Sequence, residues 1–147
     1  MARWEIREVG FGKGVFARDA LLPGEPLFAY EGPKVRWEDV PDAEAAHVIK
    51  SGGRWVIPGS PARYVNHACE PNCDVDDDLR LVPLRTIAPG EELTIDYHTA
   101  DPAAMAADPG AYFWDPRWSF DCRCGSPRCV GRVDGWRIVA LGECRRG

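Results

Sequence analysis

A chain of 147 residues that is 45% apolar and 28% charged suits one globular domain with a modest core and excludes a disordered chain. No stretch approaches the roughly 18 continuous apolar residues of a membrane span. Met1-Ala2-Arg3-Trp4 opens into patterned sequence rather than a signal peptide, so a cytoplasmic location is expected, with a nuclear or nucleoid-associated one compatible. A net charge of −5, with acid gathered at Asp74, Asp76, Asp77, Asp78, Glu91 and Glu92, argues against direct nucleic-acid binding, which needs a basic surface. It suits a basic, lysine-bearing protein partner, although the Asp74–Asp78 run reads equally well as a solvated loop.

Thirteen prolines and fifteen glycines cut the chain into short elements. Strands are expected at Trp4–Val9, Val15–Ala17, Pro26–Tyr30, Trp55–Ile57, Tyr64–Asn66, Leu79–Pro83 and Leu93–Tyr97, separated by turns of which Ala88-Pro89-Gly90-Glu91 is the clearest. Only Asp42–Lys50 and Pro102–Ala107 read as helices. At His98 the composition shifts to a Pro/Ala/Asp-rich connector that ends in Tyr112, Phe113, Trp114, Trp118 and Phe120. A mainly β core to Tyr97, then a loop-rich tail organised around cysteines, is the expected division.

Four segments carry chemistry. Gly12-Lys13-Gly14 is a turn where backbone can approach a ligand, too short for a dinucleotide fingerprint and without the Gly-Lys-Ser/Thr of a phosphate loop. Asn66-His67 is by itself a hydrogen-bonded turn as readily as a ligand contact. In Leu93-Thr94-Ile95-Asp96-Tyr97 a strand period puts Leu93, Ile95 and Tyr97 on one face, and Asp96 and His98 on the other. Cys122-x-Cys124-x4-Cys129 offers three thiols from a Gly- and Pro-containing turn. Disulfides, buried free thiols and a zinc site are all readings of the six cysteines, with zinc favoured by the cytosolic character of the chain.

Taken in order, Tyr64-Val-Asn-His-Ala-Cys-Glu-Pro-Asn-Cys73, Gly90-Glu-Glu-Leu-Thr-Ile-Asp-Tyr97 and Cys122-Arg-Cys-Gly-Ser-Pro-Arg-Cys129 followed by Gly131 resemble the signature of the SET-domain protein lysine methyltransferases with a post-SET zinc segment. Gly12–Ala17 resembles that family's first cofactor loop. The likeness runs from about residue 4 to about residue 133. It implies a mainly β SET-domain fold of several small sheets with a pseudoknot-like threading, an exception to the rule against threaded chains, and a loop-rich zinc-binding C-terminal tail. The implied division is a SET domain at 4–97, a connector at 98–121, a post-SET segment at 122–133 and a tail at 134–147.

The resemblance implies transfer of a methyl group from S-adenosylmethionine to a lysine of a protein or peptide. Gly12, Lys13, Gly14, Asn66 and His67 would bind the cofactor. Tyr97 would be the catalytic tyrosine, with Tyr30 of Tyr30-Glu31-Gly32 the second. Tyr64 and Ile95 would line the substrate channel. Cys69 would join Cys122, Cys124 and Cys129 around one structural Zn²⁺, leaving Cys73 and Cys144 as free thiols. No general base is needed: burial beside a positive sulfonium lowers the lysine amine from its usual pKa of ~10.4. Orientation then contributes on the order of 7–11 kcal/mol of the barrier. Ala68 replaces the family's usual serine and Tyr64 its commonest phenylalanine. Ile95 replaces a phenylalanine or tyrosine, which predicts addition of two or three methyl groups. The 33–64 region is short and the zinc-rich pre-SET segment is absent, so substrate identity does not carry over. The alternative is a non-catalytic module that holds lysine-containing peptides or the cofactor.

Overall fold

The structure, a computed structural model, describes residues 2–10 and 12–138; Cys144, expected as a free thiol, lies outside them. Short antiparallel sheets dominate, and the chain divides into two units, each drawn from two segments of the sequence. One comprises Met1–Asn66 and Asn72–Ile95, the other His67–Pro71 and Asp96–Gly147. No helix among the described residues is long and apolar enough to cross a membrane.

In the first unit, β1 (Trp4–Val9) and β2 (Gly12–Ala17) form a hairpin that sets Trp4 opposite Ala17 and Ile6 opposite Val15. The period-two pattern of Trp4, Ile6, Val15 and Ala17 places all four on the core side. β3 (Phe28–Ala29) is followed by β4 (Lys34–Val35), β5 (Ile49–Ser51) and β6 (Arg54–Val56); the last three form one sheet in the order β4-β6-β5. β7 (Asn66–His67) carries the chain out of the unit, and β8 (Cys73–Val75), β9 (Arg80–Pro83) and β10 (Thr94–Ile95) bring it back. β3, β9 and β8 form a second three-stranded sheet, with Val75 opposite Leu81 and Cys73 opposite Pro83. Val15, Leu21, Leu81, Ile87 and Leu93 are wholly buried and make the core.

The acidic run is in part turn chemistry. Asp76 accepts from the backbone N–H of Asp78 and Arg80 (3.0 and 2.9 Å) and pairs with the Arg80 guanidinium, which closes the β8–β9 hairpin.

In the second unit, β11 (Thr99–Ala100) pairs in parallel with β14 (Arg137–Ile138), and β12 (Phe120–Asp121) pairs antiparallel with β13 (Arg132–Val133). α1 (Pro102–Ala107) is the helix expected there: Asp101 caps it by accepting from Ala103 N–H, and proline occupies its first turn. This unit's small core is Cys69, Cys122 and Val133, flanked by Trp114, Phe120, Cys124 and Cys129.

Three expectations are corrected. Asp42–Lys50 is not a helix: a single 3₁₀ turn at Asp42–Glu44 gives way to β5, because Ile49 is used in the core and pairs with Val56. Tyr64 is not in a strand but ends the 3₁₀ turn Ala62–Tyr64. The strand at Leu93–Tyr97 stops at Ile95, and Tyr97 and His98 form a turn.

Candidate functional site

The first unit builds a polar cradle on β2. Backbone hydrogen bonds from Leu93 N–H to Val15 O (2.8 Å) and from Ala17 N–H to Glu91 O (2.9 Å) lay the 91–93 stretch along this strand. That stretch brings the Glu92 carboxylate beside Gly14. Asn66 Nδ2 donates to both Lys13 O and Glu92 Oε2, each at 2.9 Å. Both acceptors are oxygens that cannot donate, so the carboxamide orientation is unambiguous. Asn66 Oδ1 then remains an acceptor with no protein donor recorded among the described residues. A Cβ on Gly14 would stand 2.5 Å from Glu92 Oε2 and 3.3 Å from Asn66 Nδ2, so any larger residue there displaces the Glu92 carboxylate from Asn66.

Behind the cradle, buried Asn72 holds the 92–94 backbone from both sides. Its Nδ2 donates to Glu92 O (2.7 Å), and its Oδ1 accepts from Thr94 N–H (2.9 Å). Lys13 Nζ lies 5.2 Å from the centre of the Tyr64 ring, a cation–π distance. Tyr30 is buried in this unit's core, and Tyr64 and Ile95 pack against it half-buried.

The second unit holds His67, Tyr97 and the four cysteines. His67 Nδ1 accepts from the backbone N–H of Tyr97 (3.0 Å), and Nε2 lies 3.4 Å from Cys69 Sγ. Burial lowers this imidazole to about 4, against the opposing pull of the Asp96 carboxylate, so it is neutral near pH 7. Asp96 Oδ1 and His98 Nδ1 are 2.5 Å apart, and the Arg137 guanidinium donates to the other Asp96 oxygen. Burial by itself would raise the Asp96 carboxyl, but the hydrogen bond and charge of His98, aided by Arg137, outweigh it and hold the group below its ordinary range. The strand reading missed this cluster, because it sent Asp96 and His98 to the face opposite Tyr97 of a strand that in fact ends at Ile95. Two residues marked the departure in the sequence, a carboxylate and an imidazole flanking the tyrosine.

The sulfurs of Cys69, Cys122, Cys124 and Cys129 all lie within 4.8 Å of one another. Cys69 and Cys122 are 3.8 Å apart, against about 3.8 Å for the edge of a tetrahedron with ~2.3 Å metal–sulfur bonds. Burial pushes the Cys122 thiol up, whereas backbone N–H groups of Gly131 and Cys124 draw Cys129 down to about 7. Four convergent thiols of this geometry can hold a metal ion. Cys73 lies apart, buried in the first unit's core, and its burial pushes the thiol up to about 12.

Comparison with known proteins bears on fold and family. The SET domain family model matches residues 12–98. The H3 lysine-36 specific histone-lysine N-methyltransferase of Schizosaccharomyces pombe is 42% identical over 84 residues, covering 52% of this chain and 9% of that protein. Human histone-lysine N-methyltransferase 2D is 34% identical over 137 residues, covering 80% of this chain and 2% of that protein. The chain thus spans a small part of those relatives' own length. Among solved structures, KRYPTONITE in complex with mCHH DNA, H3(1-15) peptide and SAH superposes with a TM-score of 0.64 and 26% identity, covering 89% of this chain and 30% of that one.

Proposed function

The chain belongs to the SET domain family, and we propose that it is a protein-lysine N-methyltransferase using S-adenosylmethionine. Several similar proteins are named as histone-lysine methyltransferases, and a similar structure contains SAH with a histone peptide. The observation in this chain that carries the reading is the cradle of Gly14, Lys13, Asn66 and Glu92. Asn66 Oδ1, whose amide nitrogen is held by Lys13 O and Glu92 Oε2, is an acceptor suited to an N–H of the cofactor. The bound cofactor supplies an activated methyl group on a sulfonium.

The chain's residues then do the rest. In the first unit, Asn66 and the Gly12–Gly14 backbone are assigned the cofactor and Tyr30 the lysine amine; in the second unit, Tyr97 is assigned the catalytic hydroxyl. Tyr64 and Ile95 supply apolar walls that disfavour the charged ammonium, so the lysine gives its proton to solvent water and the neutral amine attacks. The substrate is a protein or peptide bearing a lysine, and the chain's acidic balance favours a basic one.

For the four cysteines we propose one structural Zn²⁺. A closed Cys₄ set is the usual structural zinc environment. The buried centre of the second unit is Cys69, Cys122 and Val133, so a metal bound there adds ordering free energy to this segment.

The test is incubation with methyl-labelled S-adenosylmethionine and a mixed basic-protein extract, followed by mass spectrometry of the modified residue. Labelled lysine that disappears in Tyr97→Phe, while S-adenosylhomocysteine still binds, supports the reading. Cofactor or peptide binding without any labelled lysine supports the non-catalytic module instead.

A further inference from the structure

We propose that His67 is a positioning residue through which a metal held by the four cysteines fixes the turn that carries Tyr97. The inference rests on the metal reading of the cysteine cluster and uses contacts inside the second unit. The Tyr97 backbone N–H donates to Nδ1 at 3.0 Å, so that nitrogen carries no proton. The single ring hydrogen of a neutral imidazole is therefore on Nε2, which faces Cys69 Sγ at 3.4 Å. One nitrogen accepts from the Tyr97 turn and the other donates to a sulfur of the cluster.

The ring has little freedom to do otherwise. Its side chain is 2% exposed, and the rings of Tyr97, His98 and Phe120 stand against it at centroid distances of 5.4, 5.4 and 5.5 Å. Phe120 adjoins Asp121-Cys122, so the element bringing in the second thiol also packs the imidazole. Asp96 Oδ1 lies 3.6 Å from His67 Nδ1, farther than the Tyr97 N–H, and is paired at 2.5 Å with His98 Nδ1, while Arg137 holds the other Asp96 oxygen.

Four thiolates around a divalent ion leave two excess negative charges, and an N–H donor aimed at one sulfur both relieves that charge and sets the ligand's direction. Outer partners of metal ligands are typically worth 10–100-fold in metal affinity. In the reverse direction, a sulfur held by metal holds the imidazole, and the imidazole holds the Tyr97 amide.

Two isosteric substitutions separate the halves of the bridge. In His67→Asn the carboxamide oxygen reaches the place of Nδ1 and can accept from Tyr97, but nothing donates to the sulfur. In His67→Gln the amide nitrogen reaches the place of Nε2 and keeps that donor, while the Tyr97 acceptor is lost.

In zinc-loaded protein, competition with a chromophoric chelator measures metal affinity, and hydrogen exchange resolved at the Tyr97 amide measures the turn. His67→Asn is expected to weaken metal affinity about 10–100-fold and to keep Tyr97 protected. His67→Gln is expected to keep the affinity and to speed Tyr97 exchange. Identical behaviour of the two variants, with both properties lost or neither, would overturn the bridge and leave His67 a packing residue. Failure of the wild type to take up metal would overturn the metal reading and the bridge with it. Neither readout depends on methyl transfer, so an inactive protein would bear on the proposed function alone.

Discussion

Asn66 and Glu92, 26 residues apart in the chain, share a 2.9 Å hydrogen bond in which the carboxamide donates to the carboxylate. The second hydrogen of the same nitrogen goes to Lys13 O, so the orientation of Asn66 depends on both its neighbours. Gly14→Ala puts a methyl group where the Glu92 carboxylate lies. The carboxylate is the end of a flexible side chain and can swing away, costing about 1 kcal/mol of stability with the lost hydrogen bond. Asn66 then loses its fixed orientation, and S-adenosylhomocysteine affinity is expected to fall about tenfold or more, ~1.4 kcal/mol. Calorimetric titration beside urea unfolding checks this. Undiminished affinity would remove Asn66 from the cofactor site.

Gly32 meets a harder obstacle. A Cβ there would overlap the backbone carbonyl of Ile57, where Ile57 N–H is bonded to Pro33 O and Gly59 N–H to Glu31 O. Backbone paired in this way cannot move aside cheaply. Gly32→Ala should cost ~1–3 kcal/mol or more, read as a lower urea midpoint. An unchanged midpoint would show that the 31–33 and 57–59 segments separate easily.

Asp96→Asn tests the cluster beside Tyr97. The Asp96 side chain is 1% exposed and Arg137 35%. The loss should therefore fall below the roughly 3–5 kcal/mol of a fully buried broken pair. Its pH dependence has a definite sign. The folded-state carboxyl is held below its ordinary value of 3.8, so the contribution is complete above that value and is lost as pH falls through the folded-state pKa. The stability gap between wild type and variant should close in acid, and a gap independent of pH from 7 to 2.5 would exclude the ion pair as its source.

Thiol chemistry separates two kinds of cysteine. After strong chelation, iodoacetamide near pH 8 should modify Cys129 first, since backbone N–H groups draw its thiol down to about 7, and zinc loading should protect it. The buried Cys69 and Cys122, whose thiols burial pushes up, should react slowly in either state. Cys73 should resist in either state until denaturant is added, because its burial pushes the thiol up to about 12 and the thiolate is the nucleophile. Residue-level mass spectrometry checks this. Equal labelling of Cys129 with and without zinc would count against the Cys₄ site. Cys124→Ser should likewise lose the metal and the methyl transfer while the first unit stays folded.

Ile95 has no hydrogen-bonding group, and a tyrosine there would bring a hydroxyl that can hold a water or the amine. Ile95→Tyr should shift product from di- or trimethyl-lysine toward monomethyl-lysine, read by mass spectrometry with excess cofactor. Monomethylation alone in both proteins would make Ile95 a packing residue of the core on which it lies.

Much of this protein is decided locally and was legible as sequence. The alternation of Trp4, Ile6, Val15 and Ala17 makes a hairpin through side-chain direction alone. Asp101-Pro102 starts a helix through a cap and a preset φ, and the spacing of Cys122, Cys124 and Cys129 delivers three thiols from one turn. Tertiary structure decided what depends on partners distant in the chain. Ile49 was drawn from a short helical reading into a strand by Val56 and the core. The strand ended at Ile95, and beyond it Asp96 found His98 and, 41 residues away, Arg137. Glu92, which in the sequence is one more acidic residue, became the acceptor for Asn66 only because the 91–93 backbone pairs along β2. Local propensity is weak beside the burial of a carboxylate or an apolar side chain, and neither burial nor a distant hydrogen-bond partner is visible until the chain has folded back on itself.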